Sequence, residues 1–224
     1  LPVLLVQLCG SVVAQDSTAL PQRAPWTTSR IAGSPEPPLP YRAQRVFSKV
    51  AFKNPTCLTS APGTSRLFVA EQGGKVYSIP DDPECEQADL FVDASELVEQ
   101  LVSRLGDGAQ ARPGAVYGLT FHPDFATNRQ CYLCYIVNYQ KGGPKSSEEG
   151  TRVVRLTVDQ NDPPRAIIDS EVEIITWKSG GHNGGCLKFG LDGKLFVSTG
   201  DGGEAFPPDG LNSGQDVSNL LAAG

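Results

Sequence analysis

The chain has 224 residues, with 19 Lys plus Arg against 25 Asp plus Glu and a net charge of −6; with no basic run to neutralise phosphates, nucleic acid is not an expected partner. Its 24 glycines, 18 prolines and 39% hydrophobic residues describe a turn-rich globular chain rather than a helical or disordered one. An all-β fold is the first expectation.

Residues 1–14 are apolar and close on Val12-Val13-Ala14. The stretch is too short to span a membrane and ends in small residues, so it reads as the core and cleavage site of a secretory signal. Leu8 is bulky where lipoprotein processing at Cys9 would want a small residue. The chain is expected to be secreted or periplasmic and not transmembrane. It contains no methionine and no charged leader, which predicts a fragment of a longer protein. Residues 15–45 are rich in Pro, Ser, Thr and Ala, including Pro35-Glu36-Pro37-Pro38-Leu39-Pro40, and read as an exposed linker. The folded part is expected over 46–224.

From there one pattern recurs: a leucine-led strand, a Pro/Asp/Gly turn and a second apolar strand. It occurs at Leu58-Thr59-Ser60-Ala61-Pro62-Gly63 with Leu67-Phe68-Val69-Ala70, and again at Leu119-Thr120-Phe121-His122-Pro123-Asp124 with 131–137. The third copy is Leu187-Lys188-Phe189-Gly190-Leu191-Asp192 with Leu195-Phe196-Val197-Ser198. Further strands are expected at 74–79 and 152–158. Hairpins repeating at such intervals are the signature of propeller blades, each of which needs neighbours to bury its faces. One helix is predicted over 93–105, with Leu97, Leu101 and Leu105 on one face and a stop at Gly106. Residues 140–150 and 161–164 read as exposed loops.

Beyond the signal lie five cysteines, Cys57, Cys85, Cys131, Cys134 and Cys186, an odd number that leaves at least one thiol free or intermolecular. Cys57 and Cys85 flank one hairpin unit and form a candidate disulfide. Cys131 and Cys134 have CxxC spacing but lie on a strand, where residues i and i+3 point to opposite faces. Two separately packed side chains are expected there rather than a metal or redox site.

The chemistry concentrates in Gly180-Gly181-His182-Asn183-Gly184-Gly185 and Gly200-Asp201-Gly202-Gly203. Between them Asp192-Gly193 predicts a two-residue type I′ turn. Outward from it, Phe189 should face Phe196, Leu187 Ser198, Gly184 Asp201 and His182 Gly203. That register brings His182 and Asp201 to the same open end. A carboxylate beside an imidazole holds one tautomer and stabilises its protonated form, and bare glycines let a flat ligand approach the backbone. The same residues also suit glycine-rich strand ends that carry no chemistry. His122 is expected at a blade turn in a structural role. Glu204, Asp209 and Asp216 are carboxylates of the following loop, either solvated or gathered on calcium. Trp177 is expected either to line a cleft or to pack in the core.

These residues resemble the soluble quinoprotein glucose/sorbosone dehydrogenase family over about residues 50–224. The motifs are Phe68-Val69-Ala70-Glu71-Gln72-Gly73-Gly74-Lys75, then Gly118-Leu119-Thr120-Phe121-His122-Pro123-Asp124-Phe125, then the His182 to Gly203 block. Tyr117-Gly118 and Gly214-Gln215-Asp216 look like the aldose dehydrogenase branch. The resemblance implies a six-bladed β-propeller, of which about three blades are present, and oxidation of a sugar to a lactone with pyrroloquinoline quinone (PQQ) and calcium. An external acceptor would take the electrons. It implies His182 as general base, Asp201 as its orienting partner, and Asn183, Gly184, Gly185 and Gly202 as cofactor contacts, with no metal ligand in this stretch.

Sugar-oxidising members carry a polar or acidic residue where this chain has Gly181, and a polar side chain where it has Pro113-Gly114-Ala115-Val116. The arginines that grip the quinone and the calcium loop belong to later blades, so the stretch by itself is expected to be inactive. A non-catalytic binding propeller of the Hedgehog-interacting-protein type is the alternative, because it shares the style of Asn183-Gly184-Gly185 and Phe189-Gly190-Leu191-Asp192-Gly193. A calcium-dependent lactonase would need carboxylate ligands in several blades, which this sequence does not present.

Overall fold

The computed structural model describes residues 41–106, 108–142, 149–204, 206–207, 210–214, 216 and 218–221. The expected signal, most of the expected linker, Asp209 and Gln215 lie outside the described residues. Leu1–Gln44 and Arg45–Gly224 are separate units; in the first, the described residues 41–44 are exposed and irregular.

In the second unit, strands β1 (Pro55–Ser60), β2 (Arg66–Glu71), β3 (Lys75–Pro80) and β4 (Asp89–Asp93) form an antiparallel sheet in sequence order. Its first two turns are closed by glycines in the left-handed region, Gly63 at φ 77° and Gly74 at φ 98°, where other residues would be strained. Helix α1 (Ala94–Leu105) follows at once, because the Asp93 side chain accepts the Ser95 amide at 2.9 Å and caps the first turn. Its buried face is Ala94, Leu97, Val98 and Leu101, spaced i, i+3, i+4, i+7, whereas Leu105, expected on that face, is 40% exposed.

Strands β5 (Gln110–Phe121), β6 (Gln130–Lys141), β7 (Thr151–Val158) and β8 (Ala166–Trp177) form a second antiparallel sheet, again in sequence order. A one-turn helix α2 (Phe125–Asn128) bridges β5 and β6. Within the same part of the chain, a third strand unit of the repeat begins with the antiparallel hairpin of β9 (Gly184–Phe189) and β10 (Leu195–Thr199). Each leading hairpin expected from the repeat is present. Strands β4 and β8 and the first half of β5 were not expected; β8 alternates exposed Ile167, Val172 and Ile174 with acidic residues, so its hydrophobic signal is diluted.

The leading strands of the three units stand side by side. Thr56 Oγ1 donates to the Val116 carbonyl at 2.7 Å, and the Cys57 thiol points to the Leu119 carbonyl at 3.7 Å, joining β1 to β5. Gly118 of β5 lies so close to the Gly185 carbonyl of β9 that a methyl group there would overlap it. Between the first two sheets the rings of Phe68 and Phe121 are 4.5 Å apart, with Phe91 and Phe125 packed edge-on against Phe68 and Phe121 respectively. Successive residues of β6 serve different cores. Cys131, Leu133, Tyr135 and Val137 face the first sheet, while Tyr132 and Cys134 face the hairpin with Val153, Trp177 and Leu187. The CxxC cysteines are thus buried apart, as strand geometry requires. Cys57 and Cys85 are free thiols, so the disulfide expected between them is absent.

The hairpin corrects one detail of register. Gly190 N–H donates to the Lys194 carbonyl and Gly193 N–H to the Gly190 carbonyl, at 2.9 and 3.0 Å, and of the turn residues Leu191, Asp192 and Gly193 only Gly193, at φ 75°, is left-handed. This is a three-residue loop, a type I turn ended by a left-handed glycine, in place of the expected two-residue type I′ turn. Phe189 consequently faces Leu195 and Leu187 faces Val197, one residue from the expected pairs. An irregularity between Val197 and Thr199 resets the ladder before the open end, where Gly184 faces Thr199.

Candidate functional site

The open end of the third unit is built from close backbone packing. Residues 180–183 are clipped by Asn183, whose side chain accepts the Gly180 amide at 2.7 Å and donates to the Gly180 carbonyl at 2.8 Å. The clip is anchored from below: Thr151 Oγ1 lies 3.4 Å from Asn183 Oδ1, and the buried Trp177 indole donates to the Asn183 carbonyl at 3.3 Å. A side chain on Gly180 would overlap the Gly202 carbonyl, and one on Gly200 the His182 carbonyl. The two chain segments approach this closely because those positions are bare.

Across this contact His182 N–H donates to the Gly203 carbonyl at 3.0 Å, and Gly202 N–H returns a bond to the His182 carbonyl at 2.9 Å. His182 therefore faces the residues expected, despite the register change lower in the hairpin. His182 Nδ1 lies 3.0 Å from Asp201 Oδ1, which also accepts the Gly203 amide at 2.9 Å. Ser213 Oγ donates to the Asp201 carbonyl at 3.0 Å and holds that residue from behind. Asp201 is mostly sheltered, with 17% of its side chain exposed against 48% for His182. Because an ionised carboxylate can only accept, the proton is assigned to Nδ1, leaving Nε2 with a free lone pair. That nitrogen has no partner among the described residues. Chemically, the pair is an oriented, accessible base.

The other expected site residues are placed differently from one another. Gly184, at φ 70°, is exposed beside His182, while Gly185 and Gly202 are buried against Cys134 and Leu221. Asn183 is 7% exposed and its amide is engaged by the chain itself. Trp177 belongs to the core at 4% exposure. His122 accepts the Asp124 amide on Nδ1 at 3.0 Å and packs its ring on Phe189, a turn-forming role. Among the described residues no three His, Cys, Asp or Glu side chains gather as a metal site. Asp216 is drawn into a local turn by Ser218 and Asn219, whose hydrogen bonds hold its carboxyl below the usual range. The described residues do not fit a calcium cage, and no step is assigned to that ion. Asn183 as a clip and Ser213 as a support escaped the sequence reading: a hydrogen bond twelve residues along an irregular loop leaves no periodic signal.

Two four-stranded antiparallel sheets and a third hairpin, with their leading strands adjacent, define a β-propeller. The chain belongs to the glucose/sorbosone dehydrogenase family, whose sequence model matches residues 52–222. Among solved structures, the PQQ-bound aldose sugar dehydrogenase from Streptomyces coelicolor is similar at TM-score 0.54 and 20% identity, over 80% of this chain and 46% of that one. A glucose dehydrogenase crystal structure is similar at TM-score 0.50 and 21% identity, over 75% of this chain and 42% of that one. Among curated proteins, the Hedgehog-interacting protein of Homo sapiens is 30% identical over 150 residues, 65% of this chain, and that of Mus musculus is 29% identical over 148 residues, 64% of this chain. The chain spans 20% of the length of these curated relatives. No helix among the described residues is long and apolar enough to cross a membrane.

Proposed function

We propose that this chain carries the base of a PQQ-dependent sugar oxidation, in which an aldose hydroxyl becomes a lactone and an external acceptor receives the electrons. The observation that carries this reading is the 3.0 Å contact between Asp201 and the half-exposed ring of His182. Nε2 of His182 takes the proton from the anomeric hydroxyl, and Asp201 stabilises the imidazolium that results. PQQ, when bound, supplies the acceptor for the hydride that leaves the anomeric carbon. The exposed backbone at Gly184 offers a flat ligand close approach beside the base, while Asn183, Gly185 and Gly202 hold the loop in shape. Family membership and the sugar dehydrogenases among the solved neighbours support the substrate class. Export fits the apolar residues 1–14, and calcium enters only through the family.

The test is PQQ-dependent dye reduction by the full-length protein with aldoses. His182→Ala should lower turnover by about 10²–10⁴-fold, the range for loss of a general base; unchanged turnover overturns the reading.

The second reading is a binding propeller without catalysis, favoured by the 30% identity to the Hedgehog-interacting protein. Calorimetric titration of the full-length protein with PQQ in the presence of calcium separates the two, because absence of saturable binding leaves only the recognition role.

A further inference from the structure

Within residues 180–185 only His182 and Asn183 carry side chains. Four glycines leave such a segment a wide range of backbone conformations, so the imidazole keeps its place only if something outside the segment fixes it. The backbone of His182 does bond to residues 202 and 203, but those are glycines too. The firmer hold comes from the end of the second sheet. Thr151, the first residue of β7, faces Trp177, the last of β8, and both are buried. The Thr151 hydroxyl donates to Asn183 Oδ1 at 3.4 Å, and the Trp177 indole N–H donates to the Asn183 carbonyl at 3.3 Å. Asn183 passes this hold to Gly180 through both ends of its amide. With Oδ1 accepting two bonds and Nδ2 giving one, the buried amide is largely spent on the chain itself. Asp201, by contrast, is fixed within the third unit, by Ser213 and the Gly203 amide. The 3.0 Å contact between His182 and Asp201 thus joins a ring fastened to one blade to a carboxylate fastened to the next.

We infer that Thr151 and Trp177 are positioning residues: acting through Asn183, they set where the His182 ring stands against Asp201, so the base is assembled across the interface of two blades. This rests on His182 being the base of the proposed oxidation. The two residues act on the reaction only through the contact of His182 with Asp201. Their loss therefore changes turnover and the tautomer of the ring, and leaves ligand affinity alone.

The test uses the full-length protein. Thr151→Val removes the hydroxyl at nearly constant shape, Thr151→Ser keeps it, and Trp177→Phe removes the N–H while leaving a ring in the core. Thr151→Val and Trp177→Phe should each lower kcat for glucose by about tenfold, with KM and the affinity for PQQ unchanged, because a displaced reacting group costs rate rather than binding. Thr151→Ser should restore the wild-type kcat. In the absence of PQQ, nitrogen NMR of His182, whose signals are those missing from His182→Ala, should show Nδ1–H dominant in the wild type and Thr151→Ser. The other two variants should show a mixture of tautomers. Wild-type kcat and tautomer in both Thr151→Val and Trp177→Phe overturn the inference and leave the base standing. An equal loss in Thr151→Val and Thr151→Ser, or weakened PQQ binding, also overturns it, since the loss then comes from packing or from the cofactor cleft. If Thr151→Val does not fold, Trp177→Phe decides alone. Turnover unchanged in His182→Ala overturns the base and the positioning role together.

Discussion

In the proposed reaction the imidazole of His182 is a base only in the tautomer that leaves Nε2 bare, and the Asp201 carboxylate oxygen 3.0 Å from Nδ1 favours that tautomer. Asp201→Asn keeps the shape but can present an amide donor to Nδ1, which favours the other tautomer. On that reading, turnover of the full-length protein with aldose and PQQ should fall by about 10²-fold or more while KM changes little. Thiol chemistry at the same scale follows burial. Cys131 and Cys134 are enclosed, and burial pushes both thiols up to about 12, whereas Cys186 is exposed. A chromogenic disulfide reagent at about pH 8 should label Cys186 in the native protein and reach Cys131 and Cys134 only after unfolding, because the thiolate is the reacting form. Rapid native labelling of all three would contradict the packing. The His182 and Asp201 pairing was legible in the sequence, since a hairpin turn flanked by glycines forces its outer residues together. The support from Ser213 was not, because irregular loops place side chains by contacts that no periodicity announces.

At the level of single elements, α1 depends on its first turn. Burial raises the Asp93 carboxyl, but hydrogen bonds from the Ser95 hydroxyl and amide, with Lys75 nearby, outweigh it and hold the group below the usual carboxylate range. A depressed folded pKa means that the stabilisation is full above the unfolded value of about 3.9 and is lost as pH falls through the folded one. Asp93→Ala should cost about 1 kcal/mol in urea unfolding at neutral pH, and the gap to wild type should close in acid. The Leu97 and Leu101 stripe made the helix readable, yet the same stripe over-counted Leu105. A helix turns about 100° per residue, so the two i+4 steps from Leu97 to Leu105 carry the side chain about 80° round, off the buried face. The Asp192-Gly193 pair likewise signalled a hairpin but not its loop length. A type I′ turn needs Asp192 left-handed as well as Gly193, and only Gly193 is, so the hairpin closes through Gly190 and Lys194 around a three-residue loop.

Across the molecule, the first two sheets act as one body. Phe68 and Phe91 come from the first sheet, Phe121 and Phe125 from the second and its short helix, and all four are buried in a shared core. Phe121→Ala should cost about 3–5 kcal/mol, and far-ultraviolet and near-ultraviolet circular dichroism should still report a single, earlier denaturant transition. Two separated transitions would mean that the sheets fold independently. Arg104 of α1 reaches Glu171 of β8, tying the helix of one unit to the outer strand of the next. The sequence by itself determined the all-β class, the repeated hairpins, the helix and the histidine and aspartate that meet, because turn chemistry and short-range periodicity are local properties. Only the tertiary structure decided the outer strands β4 and β8, the three-residue hairpin loop and the loop clip at Asn183. The strands and the clip depend on which faces meet across units, and such contacts join residues whose separation along the chain carries no pattern.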